Sequence, residues 1–232
     1  MLVSDLIYGE ILIEDPVIEE FINSKALQRL KTINQYGGVN FVYKDRFQVS
    51  RYEHSLGVWW ILKNLGANLE TQVAGLLHDV GHCAMSHMVD QAMANKSEDY
   101  HEKFVNLIPG WDELQELLSK HNLSLKNVDD YSEIKKSLPD VGADRVDYAL
   151  RDYASANQYQ GMFGGEVLKA IKLMDRNIVF TDKSIAKKFA VQGLQAMWDV
   201  IYQPKVAVVY QSLIDMIRIG MDSGWISTDD LF

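Results

Sequence analysis

Apolar residues recur at helical spacing along almost the whole chain, while helix-breaking residues are scarce: 15 glycines and 4 prolines among 232 residues. That combination leaves little room for a large sheet and predicts an all-α bundle with at most a small β-hairpin element. Asp15-Pro16 reads as an N-cap followed by proline at the first helical position. Val17, Ile18, Phe21, Ile22, Leu27, Leu30 and Ile33 follow as one amphipathic run that Gly37-Gly38 stops. Further helices are expected over 55–65, 68–80 (capped by Asn68), 86–94, 101–107, 111–120, 139–156, 165–174, 184–200 and 204–221. A short strand is expected within 7–13 and another at 177–180, with 39–49 irregular or a hairpin. No repeat, low-complexity tract or composition break divides the chain, so one domain over 1–232 is expected, with a core over about 7–153 and C-terminal helices over 165–222.

Composition narrows the class. Hydrophobic residues make up 47% and charged residues 24%, enough apolar side chain to order a core. The single cysteine, Cys83, rules out an internal disulfide framework and fits a reducing compartment, so a cytoplasmic location is expected. Lys and Arg number 23 against 32 Asp and Glu, and the net charge of −9 argues against direct nucleic-acid binding through a basic face. No apolar run approaches the roughly 20 residues that cross a bilayer. The N-terminus lacks the basic start and cleavage pattern of a secretory leader, so no membrane association is expected.

Five of the six histidines (His54, His78, His82, His87 and His101) crowd into one stretch. His54, the pair His78-Asp79, and Asp144 offer imidazole and carboxylate donors across long gaps, a set suited to a borderline or hard divalent ion. Neighbouring residues on a regular helix point about 100° apart. His78 and Asp79 can therefore share an ion only at a helix end, and Gly81 supplies such a stop. A His-Asp dipeptide alone is common; its surroundings make it specific. Arg51, one turn before His54, carries the planar fork that pairs with phosphate oxygens. His82, Ser86, His87 and Asp90 follow, then His101-Glu102, all in a segment otherwise rich in Ala, Met and Val. Further on, Asp144, Tyr148 and Asp152 recur at i, i+4 and i+8 on one helical face, with Arg145 beside the metal end. Arg151 reads as a surface or ion-pair residue and His121 as solvated surface. Trp59-Trp60 and Met85, Met88 and Met93 read as core, and Asp112, Glu113 and Glu116 as a wet helix face.

The order His…His-Asp…Asp, set in Arg51-Tyr-Glu-His-Ser-Leu-Gly57, His78-Asp-Val-Gly-His82 and Asp144-Arg-Val-Asp-Tyr-Ala-Leu-Arg-Asp152, resembles the HD-domain metal-dependent phosphohydrolases. Within them it is most similar to the branch containing the deoxynucleoside triphosphate triphosphohydrolases. The likeness runs from about Ile7 to Tyr153 and includes Gln28-Arg-Leu-Lys31 and Asn34-Gln-Tyr-Gly37. It implies an HD-domain helical bundle in which His54, His78, Asp79 and Asp144 bind a divalent metal ion (Mn, Mg, Zn, Fe, Ni or Co). Four ligands complete a one-metal site, so one ion is expected rather than the two that His82 and His87 would help to support.

The same resemblance places His82 and His87 on the phosphate side. It makes Asp90, His101 and Glu102 a histidine–carboxylate group, with His101 protonating a leaving oxygen, and it makes Arg51 and Arg145 phosphate contacts. In the triphosphohydrolases Tyr148 would stack on the sugar, while Gln35 and Asp152 would bond the 3′-hydroxyl. The implied function is hydrolysis of a small-molecule nucleotide, with cleavage of a dNTP to deoxynucleoside and triphosphate as the leading form. Two alternatives stand beside it. One is a phosphatase or phosphodiesterase on another phosphoester (a nucleoside monophosphate, a cyclic nucleotide or a pyrophosphate-type signal). The other is a nucleotide-binding regulatory module without turnover, against which the intact ligand set argues. The family's triphosphohydrolases are longer, so downstream phosphate and base contacts are either missing or supplied by Lys187, Lys188, Lys205 or another subunit, and a homo-oligomer is allowed.

Overall fold

In the computed structural model the described residues are 1–95, 100–157 and 163–232, without the side chains of His101, Glu102 and Ile201. The chain opens with an antiparallel hairpin, β1 (Leu2–Asp5) and β2 (Gly9–Leu12), in register from Leu2↔Leu12 to Asp5↔Gly9. Asp15 then caps α1 (Pro16–Asn23), its carboxylate accepting from the Val17 N–H at 2.9 Å. The run expected as one helix divides at Ser24. This residue is extended (φ −61°, ψ 147°), and its hydroxyl donates to the Phe21 carbonyl and accepts from the Leu27 N–H. It thereby ends α1 and caps α2 (Lys25–Arg29). α3 (Val39–Val42) is a single turn within the segment expected to be irregular.

α4 (Arg51–Asn64) is the axis of the core. A capping box fixes its start: Ser50 Oγ accepts from the Glu53 N–H at 3.2 Å, and Glu53 Oε2 accepts from the Ser50 N–H at 2.8 Å. On one side it packs against α5 (Leu69–Leu77), capped by Asn68, with Leu56 and Trp59 meeting Val73 and Leu76. α5 approaches closely because Gly75 faces α4; a Cβ there would lie 2.2 Å from Leu62 Cδ1. α5 stops at Leu77 with His78 as its C-cap, so His78-Asp79 do sit at a helix end. The chain continues through α6 (Met88–Ala92), α7 (Tyr100–Lys103) and α8 (Trp111–Lys120). α9 (Ala143–Ala156) then covers the other side of α4, where Val146 and Leu150 meet Val58 and Ile61. All of these side chains are buried. Each contributes about 1.5–3 kcal/mol of hydrophobic stabilisation, and together they lock the three helices that carry the site.

Several expected helices are shorter than their pattern suggested. The one at 86–94 starts only at Met88, since Ser86 has φ +50°. The one at 101–107 splits into α7 and a 3₁₀ turn, Val105–Leu107. The one at 139–156 begins at Ala143. The helix expected over 165–174 is α10 (Gly164–Ala170) only, because Ile171–Met174 forms β3 against β4 (Asn177–Phe180). Asp175 and Arg176 make the turn with φ of 48° and 62°, the left-handed pair a two-residue hairpin requires. The fold is thus helical with two small hairpins where at most one was expected. α11 (Lys183–Ala196), a π-turn (Met197–Ile201) and α12 (Pro204–Asp222) finish the chain, and α12 lines one wall of the cleft described next.

Candidate active site

Three helix ends converge on one point. His54 lies in the first turns of α4, His78 caps the end of α5, and Asp144 sits in the first turn of α9, where the positive end of the helix dipole favours a carboxylate. His54 Nε2 is 3.1 Å from Asp144 Oδ1 and 3.2 Å from His78 Nε2, and His78 Nε2 is 3.8 Å from Asp144 Oδ1. The far side of each ring is engaged: His54 Nδ1 meets Asp147 Oδ2 and His78 Nδ1 meets the Gly75 carbonyl, both at 2.7 Å. These acceptors take a proton from Nδ1, so when both rings are neutral two Nε2 lone pairs face each other and a carboxylate. Such a donor set calls for a cation. Ligands 2.0–2.2 Å from one ion lie about 2.8–3.6 Å apart, close to the spacing seen here, so the residues fit a divalent ion.

The same charges act on protons. Burial disfavours an imidazolium at His54, yet Asp144 and Asp147 outweigh it and carry its pKa up to about 10. His78 is raised against its own burial by Asp79. Burial works against ionised Asp144, and the hydrogen bonds from His54 and His78 hold its carboxyl far below the ordinary range.

Asp79, the fourth expected ligand, lies beside this cluster rather than within it. Its Oδ1 lies 3.4 Å from His78 Nε2 and 3.3 Å from His82 Nε2, while Oδ2 takes Arg51 Nη1 at 2.5 Å. Arg51 is itself buried, and its Nε donates to Ser86 Oγ at 2.8 Å. The guanidinium expected at phosphate is therefore bound first to a ligand carboxylate, although it also lines the cleft.

The cluster floors a cleft of about 1200 Å³, walled by Gln35, Tyr36, Phe47, Tyr148, Asp152 and Tyr210 among others. The sequence face Asp144, Tyr148, Asp152 does point into it. Gln35 Oε1 is buried without a hydrogen-bond partner among the described residues. Asp152 Oδ1 accepts from the Tyr36 hydroxyl at 2.7 Å, and burial pushes its pKa up to about 6. Arg145 is turned to its own helix start, donating to Tyr148 Oη at 3.0 Å and to the Asp140 carbonyl at 2.7 Å, so it orients Tyr148 rather than lining the cleft. Buried His82 meets His87 edge to face, 4.7 Å between ring centroids. His87 faces the cleft with Nδ1 3.2 Å from Asp90 Oδ2. Asp90 is buried, and its Oδ1 accepts from the Tyr100 N–H at 2.9 Å, tying it to α7. His101 and Glu102 follow in α7, but their side chains lie outside the described residues. Of the distal lysines, Lys188 pairs with Glu166 at 3.1 Å. Lys205 lines a smaller recess that shares Phe47 and Val206 with the cleft.

Tyr36, Lys135 and Asp147 carried no role in the sequence pattern. Tyr36 holds Asp152, and Lys135 lines the cleft beside Asp129 at 3.1 Å. Asp147 had a legible signal: it stands three residues after Asp144 and four before Arg151, spacings that bring helical side chains together. Arg151 is not on the surface. It is buried and pairs with Asp147 at 2.7 Å and Asp5 at 2.9 Å, so the ion-pair half of the expectation holds. His121 is mostly covered and meets Glu20 Oε2 at 2.8 Å, which corrects its reading as solvated surface. Trp59 and Met88 are core, whereas Met93 is exposed.

Helical scaffold and donor cluster together are those of a metal-dependent phosphohydrolase. The HD domain family model matches residues 51–176, more than half of the chain, and the chain belongs to that family. Over its full length it is 44% identical to the uncharacterized protein YdhJ of Bacillus subtilis, of which it covers 72%. It is 37% identical over 67% of its length to the metal-dependent phosphohydrolase cns2 of Cordyceps militaris, covering 46% of that protein. It is 27% identical over 92% of its length to the deoxynucleoside triphosphate triphosphohydrolase SAMHD1 homolog of Dictyostelium discoideum, covering 48% of it. The chain thus spans about half the length of these last two relatives. A phosphohydrolase of known structure from Bacteroides thetaiotaomicron shares the fold, with a TM-score of 0.71 at 22% identity, over 96% of this chain and 59% of the other. No helix among the described residues is long and apolar enough to cross a membrane.

Proposed function

We propose that the chain hydrolyses nucleotide phosphoesters, with a deoxynucleoside triphosphate as the first substrate, split into deoxynucleoside and inorganic triphosphate. The observation that carries this reading is the convergence of His54, His78 and Asp144 beneath a cleft that also presents Tyr148, Asp152 and an unpartnered Gln35 Oε1. At about 1200 Å³ the cleft exceeds the usual range of small-molecule sites, about 300–1,000 Å³, and leaves room for a whole nucleotide. A divalent ion held by His54, His78, Asp79 and Asp144, one rather than two, supplies Lewis acidity toward a phosphoryl oxygen and an activated water. Arg51 neutralises Asp79 and adds positive charge at the phosphate end of the cleft. His87, held by Asp90, and His101 beside Glu102 are the groups that hand a proton to the leaving oxygen. Tyr148 packs on the sugar, and Gln35 and Asp152 hydrogen-bond its 3′-hydroxyl. The distant relatives named for dNTP triphosphohydrolysis support the same substrate class.

One observation favours a nucleoside monophosphate as the second reading. Among the described residues, the lysine and arginine side chains lining the cleft are Arg51 and Lys135, each paired with a carboxylate, a modest supply of charge for a triphosphate. A nucleotide panel incubated with Mn, Mg, Zn or Co, and analysed by chromatography, separates the readings. Inorganic triphosphate from a dNTP supports the first, and orthophosphate from monophosphates the second. No product from any nucleotide with any of these metals overturns both and leaves a binding module.

A further inference from the structure

Asp147 is fully buried, and three donors converge on its carboxylate. His54 Nδ1 and Arg151 Nε both lie 2.7 Å from Oδ2, and the Tyr8 hydroxyl donates to Oδ1 at 2.8 Å. Arg151 is held from behind by Asp5, whose Oδ2 accepts from Nη2 at 2.9 Å. Asp5 Oδ1 in turn accepts from the Ile7 and Tyr8 N–H groups at 2.8 and 3.0 Å, which shapes the turn that presents Tyr8. Asp5 and Tyr8 belong to the β1–β2 hairpin and its turn, more than 130 positions away from Asp147 and outside the residues that the HD model matches. A ligand imidazole is aimed by whatever accepts its second N–H, and loss of that partner typically weakens metal binding about 10–100-fold.

We propose that Tyr8 and Asp5 are positioning residues of the metal centre: the N-terminal hairpin clamps Asp147 and Arg151, and through them fixes the ring of His54. The proposal rests on the reading of His54, His78 and Asp144 as metal ligands. A carboxylate with a single helical partner can rotate about its χ angles. One held by three donors on two oxygens cannot, and a fixed Oδ2 fixes the direction of His54 Nε2. The hairpin is therefore part of the active site without touching the cleft.

The test uses the full chain, stripped of metal and titrated with Co²⁺, with the visible absorption of bound cobalt as the readout. Tyr8→Phe keeps the ring and deletes the donor; Asp5→Asn keeps the shape and weakens the hold on Arg151. Ile11→Val, in the same hairpin and fully buried, serves as the stability control. Both test variants are expected to bind Co²⁺ about tenfold more weakly, with an altered absorption band, while Ile11→Val keeps the wild-type affinity and band. Wild-type affinity and spectrum in Tyr8→Phe and Asp5→Asn overturn the positioning role while leaving the metal site standing. So does an equal loss in Ile11→Val, which traces the effect to stability. Absence of cobalt binding by the wild type overturns the metal reading and this proposal with it.

Discussion

Gly57 lies where α4 crosses the buried ion pairs, and its replacement by alanine tests how tightly they are packed. A Cβ at this position would fall 1.9 Å from Asp147 Oδ1 and 2.6 Å from Arg151 Nη2. Two effects oppose each other. Alanine in a helix interior is favoured over glycine by about 1 kcal/mol. Against that stands overpacking, typically about 1–3 kcal/mol. Asp147 also cannot move aside without leaving Tyr8, Arg151 or His54, and an uncompensated buried charge costs about 3–5 kcal/mol. Partial relaxation puts the net effect at about 2–4 kcal/mol of destabilisation, and for a chain of this length that lowers Tm by about 5–15 °C. Gly193 on α11 provides the control, since a Cβ there meets nothing within 4 Å. Gly193→Ala is expected to raise stability by about 0.5–1 kcal/mol through propensity alone. Urea unfolding with unchanged m-values, backed by thermal melts, measures both variants. If Gly57→Ala stabilises the protein as Gly193→Ala does, the carboxylate does not rest on bare α4 backbone and the packing described for Asp147 is wrong.

Other expectations concern the site directly. His78→Ala and Asp144→Ala should each reduce bound divalent metal more than about tenfold by elemental analysis, while far-UV circular dichroism stays helical; full metal content in both variants refutes the ligand assignment. Binding of a divalent ion near pH 7.5 should release about one to two protons, because His54, raised to about 10, and His78 must give up theirs. Calorimetry in buffers of different ionisation enthalpy reads that number, and zero release contradicts the donor set. Asp152, whose carboxyl burial raises to about 6, holds its proton more tightly in the folded state than in the unfolded chain. Its contribution to stability is present at pH 4 and lost as pH rises through 6. Metal-free Asp152→Asn should therefore exceed wild type by up to about 3 kcal/mol at pH 8, the gap closing toward pH 4. A gap that ignores pH denies the shift.

The helical class was legible because it rests on local pattern, and so was the shared face of Asp144, Tyr148 and Asp152. The placement of His78-Asp79 at a helix end follows from two adjacent donors needing one ion, while their grouping with His54 and Asp144 came from the family resemblance. What escaped depends on distant partners. β3 reads as helix until Asn177–Phe180 folds back on it, since Ile171, Lys172, Leu173 and Met174 alone suit either state. Arg51 reads as a phosphate contact, and nothing nearby announces that Asp79, 28 residues on, also takes its Nη1. Arg151 reads as a surface or ion-pair residue, and although Asp147 lies one turn before it, nothing nearby announces Asp5, 146 residues earlier in the chain. Tyr36 gained its role only from Asp152, across 116 residues. Charged and aromatic side chains have two plausible homes, water or a buried partner, and only tertiary contact decides between them.

The charges around His54 explain why an acidic chain builds a site for an anionic substrate. Asp5, Asp79, Asp144 and Asp147 surround the ring or support it, and the buried guanidiniums available to them are those of Arg51 and Arg151. Four carboxylates against two guanidiniums leave two negative charges uncompensated in a region where water is mostly excluded. A low-dielectric interior does not hold such an excess; it protonates its histidines or takes up a cation. The upward shifts of His54 and His78 are the first response, and a divalent ion is the second, matching the deficit in one step. Once the ion is in place the floor of the cleft is neutral rather than negative. A divalent ion held by His54, His78, Asp79 and Asp144 would, together with Arg51, offer a phosphoryl group local positive charge in spite of the net charge of −9. Asp5, remote from the cleft, bears on that balance by pairing with Arg151, which in turn holds Asp147 against His54.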